Sequence, residues 1–429
     1  ALAASLRLVD LTGPALWWDE GLNAYLCKLA PAPLLRMSNA VLDSNPPTYR
    51  LLLGLWMRLA GDGAFQLRLP SVLIGLGTVW AAFVWGRWQG GVGAGLLAAL
   101  LMALNPMAIY RQREAKAYPL VALFAALSCY LWLRFVLMRQ RPDWRAWALY
   151  TLCTMLAVGS HWYALFLCVA QGVGLIVWLM YQRVPWGEAW GRVWRWAASQ
   201  VVAVGLWLPW IALSYQAAWG GAAEAGAGRA SLGLLSYGRD IAASLVAGPG
   251  VGGWRAIVAV GVTSLVVAWS LWPSRRDRAA SESDTRARLV SLVALIAVPL
   301  ALGYVAQCVL SFMDARFFFY VATPLAVLLA LGLVRMRWLA LPVGAALLLA
   351  WGLSLPEARG PYATPQDDLR PLSEAMRAYA RPDDAVVVAY IWQEGILRMY
   401  APEARLHYVL GWYNDEDVAP AMEALFAAH

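Results

Sequence analysis

What most constrains this chain is a repeated alternation of long apolar runs with short polar connections. A hydrocarbon core about 30 Å thick needs roughly 20 apolar residues per helix. Runs of that order lie at 70–86, 92–109, 118–137, 147–160, 162–181, 199–215, 254–272, 289–310, 317–334 and 338–355. Composition agrees: 61% of the 429 residues are hydrophobic and 14% charged, which excludes an ordinary soluble domain. The apolar stretch Ala1–Val9 is too short to span and reads as the tail of a first transmembrane helix or a processed start, not a secretory signal peptide. The expectation is a mainly α-helical polytopic membrane protein with about eleven transmembrane helices, counting that truncated first one.

The formal net charge of +8 is spread in small clusters between apolar runs, a topology signal and not a nucleic-acid surface. Alternate connections carry Arg87; Arg139, Arg141 and Arg145; Arg183, Arg192 and Arg195; Arg275, Arg276, Arg278, Arg286 and Arg288; Arg335 and Arg337. The positive-inside rule makes these five cytoplasmic. The Asp19-Glu20 loop, Arg111–Lys116, Ser160-His161-Trp162, the loop 216–253 and Met313–Arg316 then share the opposite side. That organisation predicts a membrane domain over 1–355, with outer loops 10–69 and 216–253, and a small soluble α/β domain over 356–429 on the non-cytoplasmic side. In the latter, Leu372–Ala380 reads as a helix and Ala385–Ile391 as a strand. The Gly- and Ala-rich loop 216–253 reads as a mobile cover or a partly helical segment. Tyr49–Leu59 is apolar but short, with Arg50 and Arg58, and suits the interface. The Gly86–Gly95 stretch lacks phosphate-loop spacing and reads as a tight turn with close helix packing.

Against this apolar background, polar residues at helix ends stand out. Asp19 and Glu20 follow Trp17-Trp18, an aromatic pair suited to the membrane interface. A solvated loop is the plain reading of two acids, but a second polar set, Arg111-Gln112-Arg113-Glu114-Ala115-Lys116, falls on the same side. Basic residues on an outer loop run against the topological bias. An anionic ligand explains them, because phosphate wants cations and fixed donors; contact with lipid headgroups is the plainer alternative. His161, beside Trp162 and Tyr163, suits an interfacial hydrogen bond or a ligand contact, and Asp314 and Arg316 suit a simple pair at a helix end. His161, His407 and His429 show no metal-ligand spacing, and the five cysteines form no CxxC pair or disulfide framework.

The ordered set Trp-x-Asp-Glu at 17–20, Pro46-Pro47-x-Tyr49, Phe65-Gln66-Leu67-Arg68-Leu69-Pro70-Ser71, Glu114-Ala115-Lys116-x-Tyr118 and Arg316-Phe317-Phe318-Phe319-Tyr320 resembles the GT-C membrane glycosyltransferases. Within these it is similar to the protein mannosyltransferases and aminoarabinose transferases, over roughly residues 10–355. The resemblance implies inverting transfer of a sugar from a polyprenyl-phosphate carrier to a lipid, glycan or protein hydroxyl at the outer face. It implies Asp19 as catalytic base, with Glu20 in reserve, and Glu114 as a second acid that orients the acceptor or the base. Arg113, Lys116 and Arg316 are the candidates for the carrier phosphate. The family usually has His or Lys immediately before Pro-Pro; here Asn45 cannot carry charge, and the task falls to Arg50 or Arg113. Asn45, Tyr49, Tyr118 and His161 complete the expected substrate contacts.

The chemistry agrees with that division. An attacking hydroxyl must lose its proton, and a placed carboxylate gives roughly 10²- to 10⁴-fold help. A phosphate leaving group needs cations and not a proton donor. An acidic pair can hold a divalent cation, but the nearby Arg and Lys can do the phosphate's work, so no cofactor is expected, with a divalent metal as the alternative. The competing reading is a glycolipid transporter or flippase, which should show paired halves, broken helices and midplane charges. Here no internal repeat is visible and the charges sit at outer helix ends. The expected setting is a bacterial inner membrane with the site on the periplasmic or extracellular face, among membrane lipids and without nucleic acid.

Overall fold

The structure, a computed structural model, describes residues 1–40, 45–137, 143–226, 231–272, 282–310 and 314–360, then 364, 367–381, 384, 386–388, 390–402, 406–408, 423 and 427. Of these, residues 39–40, 217–218, 221–226, 282–286 and 406–408 are described by their backbone alone. Arg139, Arg141, Arg275, Arg276, Arg278, Met313, Ala385 and His429, singled out above, lie outside the described residues, as do the side chains of Arg286 and His407.

Four helices open the chain: α1 (Leu2–Leu8), α2 (Trp18–Leu26), α3 (Pro31–Ala40) and α4 (Thr48–Ala60). Helix α2 starts after the extended Trp17 and carries Asp19 and Glu20 in its first turn, where the helix dipole favours negative charge. Helix α4 buries Tyr49, Arg50, Leu53 and Met57 and exposes Leu51, Leu52, Leu55 and Leu59, the division of an interfacial helix.

Helix α5 (Ala64–Leu104) has 41 residues. Straight, it would reach about 60 Å at about 1.5 Å per residue, twice a hydrocarbon core. It breaks at Gly90 and Gly91, the latter at φ +82°, where a left-handed backbone favours glycine. A Cβ on Gly86 would lie 2.8 Å from the Ala94 carbonyl oxygen, and one on Gly95 2.8 Å from that of Phe83. Glycines thus let two legs pack backbone to backbone across the turn. The second leg stops where Pro106 starts α6 (Pro106–Arg111), capped by Asn105, which accepts a 2.8 Å bond from the Ala108 amide.

The bundle continues through α7 (Tyr118–Leu131) with a π-helical extension Trp132–Leu137, α8 (Trp144–Val158), α9 (Ala164–Tyr181), α10 (Trp186–Gly205), α11 (Leu208–Gly226), α12 (Leu234–Ala247), α13 (Gly253–Leu271) and α14 (Glu282–Leu310). A 3₁₀ segment Ala315–Val321 leads into α15 (Ala322–Met336); the 3₁₀ turn Arg337–Leu339 leads into α16 (Ala340–Gly352) and the short α17 (Leu355–Ala358). Among the described residues six helical runs are long and apolar enough to cross a bilayer, and the pair α10–α11, bent by 55°, makes a seventh. The number is below the expected eleven because Ala64–Leu104 and Ala315–Gly352 each contain two of the expected runs. Helix α8 has only 15 residues. Of the two readings of 216–253, the helical one matches what is described, since α11 and α12 occupy most of it and Tyr237, Ile241 and Leu245 are buried.

The C-terminal part holds α18 (Arg370–Tyr379), β1 (Val386–Val388), α19 (Ile391–Tyr400) and β2 (Leu406–Tyr408). The two strands pair in parallel, Val386 opposite Leu406. Leu369, Val388, Ile396 and Leu397 enter one hydrophobic core with Leu16, Ala24, Leu53, Leu67 and Leu120. The C-terminal residues are therefore packed onto α2, the helix that carries both leading acids, and onto its neighbours α4, α5 and α7.

Candidate active site

Asp19 and Glu20 are neighbours on α2, so their side chains leave the helix about 100° apart and meet different partners. Asp19 Oδ1 accepts from Lys116 Nζ at 2.5 Å, and Oδ2 faces Arg316 Nη1 at 3.6 Å. Lys116 comes from the loop between α6 and α7, Arg316 from the 3₁₀ segment before α15. All three are buried or nearly so. Arg316 is also 3.4 Å from Asp314, and its guanidinium stands over the rings of Trp17 (5.7 Å) and Phe317 (5.5 Å). One carboxylate thus sits between two cations drawn from distant parts of the chain.

Glu20 is held differently. Arg68 donates Nε to Oε1 at 2.8 Å and Nη2 to Oε2 at 2.6 Å, and the Ala115 amide donates to Oε1 at 3.0 Å. Arg68 also donates to the carbonyls of Leu11, Pro14 and Ala15. Both side chains are fully buried. This fork-to-fork pair ties α2, the start of α5 and the loop before α2 into one unit. One turn further along α2, Asn23 Nδ2 donates to the Ala115 carbonyl at 2.8 Å. The peptide groups on both sides of Ala115 are therefore held by α2, which fixes the flanking Glu114 and Lys116.

Glu114 is buried, with Oε2 accepting from Arg111 Nη1 at 2.8 Å; Oε1 has no hydrogen-bond partner among the described residues. Burial pushes its carboxyl above the usual range, Arg111 opposes that shift, and the charge of Asp19 adds to it. Tyr118, His161, Tyr163 and Phe317 form an aromatic wall beside this cluster, with the His161 ring 5.6 Å from those of Tyr118 and Tyr163 and 5.4 Å from that of Phe317. The Tyr163 amide donates to His161 Nδ1 at 3.3 Å, which leaves the proton of the neutral ring on Nε2.

The structure thus brings Asp19, Lys116 and Arg316 together, with Glu114, Tyr118 and His161 around them. It takes other candidates elsewhere. Arg113 donates to the carbonyls of Val9 (2.8 Å) and Asp10 (2.7 Å) beyond the end of α1. Arg50 donates to Asn23 Oδ1 at 3.1 Å, and the Tyr49 hydroxyl bonds that of Ser71 at 3.0 Å. Asn45 is half-buried before Pro46-Pro47, a stretch joined to the His161 turn where the Thr48 amide donates to the Gly159 carbonyl at 3.1 Å. Sequence reasoning assigned no role to Arg68 or Asn23, and set Arg111 only among the loop cations suited to an anionic ligand, whereas the structure pairs it with Glu114. Arg68 was visible inside a quoted motif, and Asn23 lies one helical turn from Glu20, but nothing in the sequence told which carboxylate each would serve. Among the described residues no three His, Cys, Asp or Glu side chains gather as a metal-binding group.

The family described as dolichyl-phosphate-mannose-protein mannosyltransferase matches residues 44–212. No curated protein matches the chain in sequence. ArnT from Cupriavidus metallidurans bound to undecaprenyl phosphate shares the fold, with a TM-score of 0.67 and 13% identity over 99% of this chain and 87% of that one. Its apo state gives 0.64 and 14%, over 95% of this chain and 84% of that one. The oligosaccharyltransferase AglB from Archaeoglobus fulgidus, in complex with an inhibitory peptide and a dolichol-phosphate, gives 0.53 and 12%, over 94% of this chain and 63% of that one. The family match covers residues 44–212, and over nearly the whole chain the architecture is the GT-C fold of these membrane glycosyltransferases.

Proposed function

We propose that this protein transfers a sugar, with inversion, from a polyprenyl-phosphate carrier to an acceptor hydroxyl, and that Asp19 is the base. The observation that carries the reading is the placement of Asp19 between Lys116 and Arg316. The acceptor oxygen attacks the anomeric carbon from the side opposite the carrier. The bond from that carbon to the phosphate oxygen breaks, its electron pair stays on the phosphate, and the acceptor proton passes to Asp19. Lys116 and Arg316 neutralise the departing phosphate. Because the phosphate and Asp19 share the same two cations, a bound donor draws them away from the carboxylate and leaves an oxygen available to the acceptor.

Glu114 orients the acceptor through Oε1, and Tyr118 and His161 wall the sugar, with Asn45 and Tyr49 on the neighbouring α4 side. Arg113 and Arg50 support the loop and α2 in place of the phosphate contact expected from sequence. The acceptor is a lipid, glycan or protein hydroxyl. The site faces the non-cytoplasmic side of a bacterial inner membrane, with residues 1–355 as the membrane domain and 356–429 as the extramembrane part on that side. The charge alternation of the connections supports this orientation.

The test is a screen of purified protein with radiolabelled undecaprenyl-phosphate-linked mannose, glucose and aminoarabinose, scoring transfer and hydrolysis. At least one donor should be consumed by the wild type and none by Asp19→Asn. Full turnover by that variant would overturn the assignment of the base, and no consumption of any donor would overturn the activity.

A further inference from the structure

The remaining question is what holds the first turn of α2 in place, since its N-cap residue Trp17 makes no side-chain capping bond. The contacts come from the other end of the chain. Helix α19 crosses α2 at Gly21 and Gly395: a Cβ on Gly395 would collide with the Gly21 carbonyl oxygen, and one on Gly21 with that of Trp392. Neither helix can accept a side chain there, so the two backbones touch two residues after Asp19. Ile396 and Leu397 of α19 are fully buried in the core that also contains Leu16 and Ala24. Tyr400, at the end of the same helix, accepts a 2.8 Å hydrogen bond from the Leu16 amide, just ahead of Trp17. Arg370 donates to the Gly13 carbonyl at 2.8 Å and is paired with Asp368 at 2.6 Å.

We infer that α19 is a positioning element of the transfer reaction: the Gly21–Gly395 crossing sets the height and rotation of α2, and Tyr400 fixes the segment leading into it. These residues touch neither donor nor acceptor. They act through Asp19, and the inference rests on the reading of Asp19 as base. A base displaced by about 1 Å loses roughly 100-fold in rate, while Arg316, carried on the 3₁₀ segment before α15, still holds the phosphate; Lys116 follows α2 through Glu20 and Asn23. Damage to this contact therefore lowers kcat far more than donor affinity.

The experiment uses the full chain in nanodiscs. Tyr400→Phe removes one hydroxyl and no packing, and Gly395→Ala forces the helices apart. Turnover is read with the donor selected by the screen above, binding with undecaprenyl phosphate itself, and local order by amide hydrogen exchange of the peptide 13–26. Tyr400→Phe should lower kcat about 5-fold and Gly395→Ala about 100-fold. Undecaprenyl phosphate should bind both within about threefold of the wild type, and exchange should quicken in 13–26 and at the Ala115 loop bonded to it, not through the bundle. Unchanged kcat in Tyr400→Phe overturns the inference, as does lipid-phosphate affinity falling in step with kcat or exchange rising throughout the bundle. Should Gly395→Ala fail to fold, Tyr400→Phe decides alone. Asp19→Asn run alongside separates the two failures. If it is fully active, the reading of the site falls; if it is inactive while Tyr400→Phe keeps full kcat, only the positioning role falls.

Discussion

Glu20→Gln separates the two adjacent acids. In the structure Glu20 accepts three hydrogen bonds, two from Arg68 and one from the Ala115 amide, with no exposure of either charged side chain. The amide of Gln keeps one acceptor oxygen but turns an NH₂ towards a donor, and it leaves the Arg68 charge without its counterion. Removing one member of a buried pair costs about 3–5 kcal/mol, a large share of the roughly 5–15 kcal/mol that holds a domain folded. The conventional rescue, replacing both partners by apolar residues, should fail here. Arg68 also serves the carbonyls of Leu11, Pro14 and Ala15, each costing about 1–3 kcal/mol when left buried and unpaired. The assay is thermal unfolding in detergent, followed by turnover of the folded fraction well below its midpoint. Glu20→Gln should unfold at a markedly lower temperature yet keep kcat within about tenfold of the wild type, far short of the roughly 10²- to 10⁴-fold loss that removing a base brings. Asp19→Asn should also melt earlier, because it leaves Lys116 and Arg316 without their carboxylate, but its folded fraction should lose turnover by the full amount expected for a base. A Glu20→Gln protein with an undiminished melting temperature and no turnover would exchange the roles of the two acids.

Three further outcomes follow from the same geometry. Lys116→Met should lower kcat/KM for the donor about 10²- to 10³-fold, measured by initial rates, whereas Arg316→Lys, which keeps the charge, should lose less. Glu114 has a carboxyl pushed up by burial in the folded state, so the folded protein holds that proton more tightly than the unfolded chain. Its contribution to stability is full below the unfolded value near 4.5 and is lost as pH rises through the raised folded value. The difference in melting temperature between wild type and Glu114→Gln should shift against the wild type across that window and be level above it. If Lys116 and Arg316 perform the cation's task as proposed, chelation with EDTA should leave turnover unchanged; a rate restored only by added divalent ion would refute this.

Much of this was legible in the sequence because membranes make sequence explicit. Apolar runs and alternating arginines announced helices, and the pairing of Asp19 with Lys116 lies within one ordered motif set. The limits were equally physical. Charge type does not tell Arg113 from Lys116, since both are cations on one loop; only the fold shows one turned to the end of α1 and the other to Asp19. Adjacent acids look alike on paper, and a 100° step on a helix separates their roles. The contact between α2 and α19 joins residues more than 370 positions apart through two glycines and a tyrosine hydroxyl. No local pattern carries such information.

The turn at Gly90-Gly91 has a consequence of parity. A chain that goes in along one leg of α5 and returns along the other must bring Arg68 and the Glu114 loop to the same face of the membrane, whatever the charges of the connections. The face proposed to be active is thus fixed by an even number of passes. Equal insertions in both legs would preserve the meeting of Arg68, Glu20 and Ala115. An unpaired residue in one leg would displace one partner by about 1.5 Å and 100°, so the hairpin also works as a gauge that holds two remote stretches of chain in register.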